Sequence, residues 1–316
     1  MAARIIYNPT AGNGKAVRVL EQIKPYLEKC DVEIIQTEGP GHATLLAREV
    51  ADIEELTVIS LGGDGTHHEV VNGLMPAGKA IFSVIPAGTG NDFVRMLHYP
   101  QSPGQMVELA IKGPYRWFDL GHIDGQYEQY FLTVAGAGFD AEVAGWVNKR
   151  KKQGNGTWVF IRGVLYNAFG YRPQPMTIVS PDATRSQNTF MIAVGNTQYY
   201  AGGMKICPEA DPHDGSFQIV WIESISPWQV FPLLARVFRG NHVHRKVVST
   251  FPASTLRVEG PKELWVHADG ELVGHLPVSI RTVPKAIRIR LGTIASQEQD
   301  HTVHTLEREA ESTTPS

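Results

Sequence analysis

Short apolar runs alternate with amphipathic stretches through the first third of the chain. Ala3–Tyr7 reads as a strand, residues 8–14 as a turn rich in breakers, and residues 15 to about 30 as a helix with Val17, Leu20 and Leu27 inward. Pro25 is expected to bend or split that helix, because it removes a hydrogen bond and crowds the preceding turn. Residues 32–37 form the next strand, Gly39-Pro40-Gly41 breaks it, and residues 42–51 form a second helix. Residues 56–60 read as a short buried strand. It runs into Leu61-Gly62-Gly63-Asp64-Gly65-Thr66, after which Val70, Val71 and Leu74 share one helical face. Residues 80–86 form a strand, Pro86-Ala87-Gly88-Thr89-Gly90-Asn91 a second glycine turn, and Asp92 starts another helix. This rhythm predicts a mostly parallel, doubly wound sheet. Ligands of such sheets sit outside the carboxyl ends of the strands, and three turns lie there, at residues 8–14, 62–66 and 87–91.

The pattern changes after about residue 114. Strands are expected at residues 117–123, 130–135, 176–180, 190–194, 217–222, 256–258, 264–267 and 287–291, with helices near 158–169 and 227–238. An antiparallel β-rich second domain follows, a sandwich or an open barrel. No internal repeat is evident. Residues 297–316 are polar and acidic and are expected to form a mobile tail.

Composition narrows the function classes. A length of 316 residues suits two domains, and 42% hydrophobic residues suffice for their cores. The formal net charge of −3 supplies no basic field for nucleic acid. Cys30 and Cys207 are far apart and in no metal spacing, which fits a reducing compartment without disulfides. The first residues enter a strand at once, with no basic and apolar leader, and nothing approaches a run of about 18 apolar residues. A cytoplasmic protein that touches membranes only peripherally is expected, with oligomeric state left open and a homodimer among the options.

The glycine turn from Gly62 to Thr66 joins a strand to a helix, where glycine permits positive φ and close approach. The helix behind it aims unpaired N–H groups and a positive dipole end at that point, a place for phosphate. Asp64 adds a carboxylate suited to a phosphate-bound cation. The competing reading is a tight turn with a capping Asp. Residues 8–15 lack P-loop spacing, and Asn91 or Asp92 would serve equally as a helix cap. Asp211 and Asp214 suit Mg²⁺ or an ordinary Asp-Gly turn. His267-Ala268-Asp269-Gly270-Glu271 reads as a hairpin turn that places two carboxylates at a strand end, where one can serve as a base. Lys149-Arg150-Lys151-Lys152, between Trp146 and Trp158, suits anionic headgroups or bulk solvent. The histidines show no zinc spacing and are read as structural.

Taken in order, Ile6-Tyr7-Asn8-Pro9-Thr10-Ala11-Gly12, Gly62-Gly63-Asp64-Gly65-Thr66 and Pro86-Ala87-Gly88-Thr89-Gly90-Asn91-Asp92-Phe93 resemble the diacylglycerol kinase catalytic family, in particular its soluble bacterial lipid kinases. Gly136-Ala137-Gly138-Phe139-Asp140-Ala141, Gly195-Asn196, Pro208 to Phe217 and Asp269-Gly270-Glu271 continue the match over nearly the whole chain. The resemblance implies an NAD kinase-like two-domain plan. Residues 1–115 would form a Rossmann-like nucleotide domain, 116–280 a β-sandwich for the lipid substrate, and 281–296 would return to the first domain. It implies that Asn8, Pro9, Thr10, Ala11, Gly12, Thr37, Gly62, Gly63, Asp64, Gly65, Thr66 and Thr89 contact ATP, and that Asp211, Asp214 and Ser216 sit at a Mg²⁺ site. Glu271 would be the general base, supported by Asp269. His67-His68 departs from the apolar-then-Asn pair common in the family, and His213 stands where a second Asp is frequent. Diacylglycerol is the expected acceptor. Alternatives are sphingosine or another long-chain base, another glycerolipid, NAD, or a non-catalytic binding role.

Overall fold

The computed structural model describes residues 2–95, 97, 99–126, 128–150 and 156–290. The expected acidic tail, Leu291 of the last strand, Met96, and Lys151 and Lys152 of the basic run lie outside the described residues.

Four parallel strands, β1 (Ala3–Tyr7), β2 (Val32–Gln36), β3 (Thr57–Gly62) and β4 (Ile81–Pro86), lie in the order β2-β1-β3-β4. β3 is buried along its whole length and β4 up to Pro86, as parallel strands covered on both faces must be. The covering helices are α1 (Lys15–Leu27), α2 (His42–Arg48), α3 (Asp64–Leu74) and α5 (Pro103–Lys112), with a single turn, α4 (Asp92–Arg95), after the second glycine loop. α1 and α5 pack Ala16, Ile23 and Ala110 on Ile59 and Ile85. α2 and α3 pack Ala47, Val70 and Val71 on Val58 and Phe82. Each large apolar side chain so buried contributes roughly 1.5–3 kcal/mol.

α1 corrects the sequence expectation. Its buried stripe is Ala16, Val19, Ile23 and Leu27, while Val17 is exposed and Leu20 only partly buried. Two stripes competed, and the one with the small Ala16 allows closer approach to the sheet. Pro25 lies inside a continuous helix that ends at Leu27, so it affects only the last turn. α5 begins on Pro103, which is suited to a first helical turn, and escaped the sequence reading.

The remaining strands are β5 (Tyr115–Asp124), β6 (Gln129–Phe131), β7 (Val134–Gly138), β8 (Gln174–Val179), β9 (Thr184–Gly195), β10 (Phe217–Glu223), β11 (Val248–Ala253), β12 (Thr255–Glu259), β13 (Trp265–Ala268), β14 (Glu271–His275) and β15 (Val278–Arg290). Their mutual pairings are antiparallel. Phe131, Ile192, Phe217, Trp221, Val266 and Val278 fill the interior. Helices α6 (Phe139–Asn148), α7 (Gly156–Ala168) and α8 (Pro227–Val237) cover a further face through Phe139, Val143, Val164, Val230 and Leu233. The single strand expected at 130–135 is two, β6 and β7, because the Leu132 and Thr133 amides leave the ladder to serve a carboxylate.

β15 joins the two parts. Its first half pairs with β12 and β5; its register then shifts between Val283 and Ile287, and Arg288 and Ile289 run parallel to β4. At the shift, Lys285 adopts φ 48° and its amide donates to Asp119 Oδ1 at 2.7 Å.

Candidate active site

Three loops meet at the carboxyl ends of β1, β3 and β4. The Asn8 amide donates to the Leu61 carbonyl at 3.1 Å, and the Ala87 amide to the Gly62 carbonyl at 2.6 Å. Asn8 Nδ2 reaches Thr66 Oγ1 at 3.3 Å, and Asn8 Oδ1 accepts from the Thr10 amide and hydroxyl. Gly12 has φ +58°, and a Cβ there would lie 2.2 Å from the Ala87 carbonyl oxygen. Gly63 and Gly88 approach so closely that a Cβ on Gly63 would meet the Gly88 Cα at 3.0 Å. Thr37, at the end of β2, donates its amide to the Tyr7 carbonyl, and Thr89 is exposed at the loop tip.

The Gly62–Thr66 turn differs from expectation in one respect. None of its glycines takes positive φ; their purpose is proximity. Helix α3 already starts at Asp64, so Asp64 and Gly65 carry first-turn amides that the helix itself cannot satisfy.

The β13–β14 hairpin comes to this helix end. Asp269 and Gly270 have φ 51° and 83°, the two left-handed positions of a two-residue hairpin turn. Glu271 then places Oε1 3.2 Å from where a Cβ on Gly65 would stand. Asn148, at the end of α6, donates Nδ2 to the Gly270 carbonyl at 3.1 Å and to Glu271 Oε2 at 3.3 Å.

Asp269 anchors the turn. Its carboxylate accepts from the Leu132 amide (2.9 Å), the Thr133 amide (2.8 Å), the Thr133 hydroxyl (2.6 Å) and His68 Nδ1 (2.9 Å). Burial opposes its charge, yet His68 and these donors hold its pKa below the usual carboxylate value. His68 is the counterpart. Burial disfavours its charge, but the hydrogen bond and charge of Asp269, the charge of Glu271 and the Gln129 side chain raise its pKa above the ordinary value. The His68–Asp269 hydrogen bond thus links α3 to the turn that carries Glu271. His67 behaves oppositely: burial lowers its pKa to about 3, and Nδ1 pairs with the Ser60 hydroxyl at 2.8 Å.

Asp64 is buried beside Asp92. Burial, then the charge of Asp92, raise its pKa from 3.8 to about 7, although Oδ1 accepts the Phe93 amide at 3.3 Å. Asp92 accepts the amides of Gly202 and Gly203, each at 2.7 Å, and so ties the second glycine loop to the β-rich part.

Asp211, Asp214 and Ser216 form a separate loop. Asp211 Oδ1 accepts from His213, and Asp214 Oδ1 from the Ser216 amide and hydroxyl. The Gly215 amide reaches Asp119 Oδ2 at 2.8 Å, and the Asp119 amide reaches the Pro212 carbonyl at 2.8 Å. The His213 ring packs edge-on to Phe118, and Phe118 to Phe93, so the loop approaches α4 through rings. Among the described residues, no group of three or more His, Cys, Asp or Glu is placed to hold a metal. The available donors are hard carboxylate oxygens with one oxygen each committed locally, which suits a cation that keeps waters and phosphate oxygens.

Sequence reading missed His68, Asn148, Gln129 and Asp119 as site-shaping groups. For His68, the polar residue four positions after Asp64 on the same helix was the available signal.

A parallel sheet with three loops meeting at its carboxyl edge, joined by one strand to an antiparallel sandwich, defines a two-domain protein of NAD kinase-like architecture. The chain belongs to the diacylglycerol kinase catalytic family of lipid kinases. Residues 2–123 match the diacylglycerol kinase catalytic domain, and residues 133–291 the YegS C-terminal NAD kinase beta sandwich-like domain. The chain is 33% identical over 290 residues to a diacylglycerol kinase of Mycobacterium tuberculosis (strain ATCC 25618 / H37Rv), covering 89% of this chain and 92% of that one. It is 32% identical over 306 residues to YtlR of Bacillus subtilis (strain 168), described as a candidate lipid kinase, covering 90% and 98%. A crystal structure described as a candidate diacylglycerol kinase from Bacillus anthracis str. Sterne is similar with TM-score 0.76 at 25% identity, covering 92% and 97%. Among the described residues, no helix is long and apolar enough to cross a membrane.

Proposed function

We propose that the protein transfers the γ-phosphate of ATP to the free hydroxyl of diacylglycerol, giving phosphatidic acid and ADP. The observation that carries this reading is the Glu271 carboxylate held against Gly65 in the first turn of α3. A helix N-terminus flanked by three glycine-rich loops cradles phosphates, and the adjacent carboxylate accepts the proton of the attacking hydroxyl. Phosphoryl transfer needs little beyond positioning, charge neutralisation and a base.

Asn8, Pro9, Thr10, Ala11, Gly12, Thr37, residues 62–66 and Thr89 line the nucleotide side. Asp211, Asp214 and Ser216 would hold Mg²⁺, which supplies positive charge to the phosphates when bound. Glu271 takes the proton and Asn148 orients its carboxylate; Asp269 and His68 fix the turn. The acceptor approaches through a cavity of about 490 Å³ lined by Trp146, Lys149, Arg150, Tyr166, Trp265 and Leu272, the last adjacent in sequence to Glu271. That volume lies within the usual range for small-molecule sites. The protein works at the membrane surface where such acceptors reside.

A labelled-ATP transfer assay over diacylglycerol, phosphatidylglycerol, sphingosine and NAD tests the reading. Labelled phosphatidic acid is expected. Label confined to NADP or to sphingosine phosphate overturns it. In the same assay Glu271→Gln should lose roughly 10²–10⁴-fold in kcat, the usual range for a general base, while ATP affinity stays nearly unchanged. Full activity removes Glu271 from that role.

A further inference from the structure

We propose that the buried pair Asp140 and His267 anchors the start of helix α6 to the β13–β14 hairpin, and that both act as positioning residues for the Glu271 carboxylate, a role that rests on the reading of Glu271 as the base. α6 meets the hairpin at both of its ends. At its last residue, Asn148 donates to the Gly270 carbonyl at 3.1 Å and to Glu271 Oε2 at 3.3 Å. At its second residue, Asp140 Oδ2 accepts from His267 Nε2 at 3.1 Å. Asp140 and Asn148 lie on the i, i+4, i+8 row of one helix side, about 12 Å apart along the axis. Between them the helix passes so close to β14 that a Cβ on Gly145 would lie 3.3 Å from Leu272 Cδ1.

The sheet beneath is shaped to admit this pair. Gly136 on β7 stands opposite His267 in the register, and a Cβ there would fall 2.1 Å from Asp140 Oδ2 and 2.9 Å from His267 Nε2. Only glycine leaves the two side chains room to meet above the strand. Gly138, at φ +102°, then turns the chain from β7 into α6. The segment Gly136-Ala137-Gly138-Phe139-Asp140 thus carries Asp140 onto the helix and keeps the space below it open. The Asp140 and His267 side chains are only 1% and 2% exposed. Asp140 also accepts the Ala141 amide at 2.9 Å, while His267 Nδ1 is buried without a partner among the described residues. A buried pair of this kind stabilises no more than two well-packed apolar side chains would. What it adds is direction, since a hydrogen bond fixes position along the helix where apolar surfaces slide. The other end of α6 has little slack. The Asn148–Glu271 bond is already 3.3 Å long, and a slide of about half an ångström takes it past hydrogen-bonding range. Asn148 holds Oε2 while Oε1 faces Gly65, so loss of that bond removes a restraint on the orientation of the carboxylate.

Transfer rates and amide hydrogen exchange of full-chain variants test this. Asp140→Leu/His267→Leu leaves no polar group unpaired and should melt close to wild type. Its kcat should fall about tenfold, with the KM for ATP changed less than about twofold, because the nucleotide loops are untouched. Asn148→Ala should lose a similar factor. Adding the two leucines to it should lower kcat no further, since both changes act on one bond. Side-chain reach supplies a second comparison, independent of how well the leucines pack. His267→Gln places an amide N–H near the former Nε2 and should retain most of kcat, whereas the shorter His267→Asn does not reach Asp140 and should resemble the leucine pair. Equal rates for these two variants, a wild-type rate in the folded leucine pair, or losses that multiply in the triple variant overturn the positioning role. Exchange in α6 should be faster wherever the link is lost, and unchanged exchange overturns the anchor whatever Glu271 does. Full transfer by Glu271→Gln overturns the reading of the base; faster exchange in the variants without the link supports the anchor in that case too.

Discussion

Asp64→Asn should make the protein more stable and a poorer kinase. In the native state Asp64 is buried next to Asp92, and its pKa rises from 3.8 to about 7. A raised folded-state pKa contributes stability that is fully present below pH 3.8 and is lost as pH rises towards 7, because the unfolded chain sheds its proton first. Each tenfold displacement of a protonation equilibrium is worth about 1.4 kcal/mol, so the loss by neutral pH has a ceiling of about 4 kcal/mol. Asparagine keeps the acceptor used by the Phe93 amide and offers an N–H to the neighbouring Asp92 carboxylate. About 1–3 kcal/mol of that ceiling should be recovered, and roughly 2–4 °C in melting temperature accompanies each kcal/mol in a chain of this size. Melting curves at pH 7.5 and pH 4 provide the assay. The variant should melt several degrees above wild type at pH 7.5 and nearly level with it at pH 4, where folded Asp64 is neutral and only about half of the unfolded groups have lost their proton. Its transfer rate at saturating ATP should fall at least tenfold, since a charge next to the phosphate cradle is gone. A variant that melts below wild type at pH 7.5, or shows the same difference at both pH values, refutes the assignment of Asp64 as a strained buried charge.

Gly12→Ala forces a left-handed alanine and drives a Cβ into the Ala87 carbonyl. It should cost about 1–2 kcal/mol and raise the KM for ATP, whereas a wild-type KM and melting temperature would show the two loops are not packed as described. His68→Leu leaves the Asp269 carboxylate buried without its histidine partner and should lower stability by about 3–5 kcal/mol in urea titrations. The wild-type contribution of His68 is complete below its ordinary pKa of 6.5 and disappears as pH passes its raised folded value. The gap between wild type and His68→Leu should therefore shrink at alkaline pH, and a constant gap would contradict an imidazolium at this position.

Local pattern carried much of this fold because its signals are local. Val58 and Ile59 form an apolar run, Gly62 to Gly65 cannot continue a strand, and Val70, Val71 and Leu74 repeat with helical spacing, so strand, turn and helix are all legible within twenty residues. The grouping of three such turns at one sheet edge followed from parallel topology. What escaped notice depends on contacts across long separations. Thr133 and Asp269 meet across 136 positions and His68 and Asp269 across 201, and no periodicity records such partnerships. The split between β6 and β7 has the same origin, since a distant carboxylate, and no residue of the segment itself, interrupts the strand. The α1 stripe failed for a different reason: Val17 is more hydrophobic than Ala16, but the sheet needed the smaller side chain. At the turn, glycine meant close packing of Gly63 on Gly88 and not positive φ, two uses that sequence does not distinguish.

The strand that crosses between the two parts has a consequence for biosynthesis. β4, with Ile81, Phe82, Val84 and Ile85 fully buried, has β3 on one side and Arg288 and Ile289 of β15 on the other. A ribosome delivers residues 81–86 some two hundred positions before their second neighbour. During that interval the amino-terminal sheet presents an unfinished apolar edge, the kind that recruits other nascent chains. The amino-terminal sheet can therefore be completed only when synthesis has passed Ile289, and a ribosome stalled inside the sandwich should hold it open to proteases and chaperones.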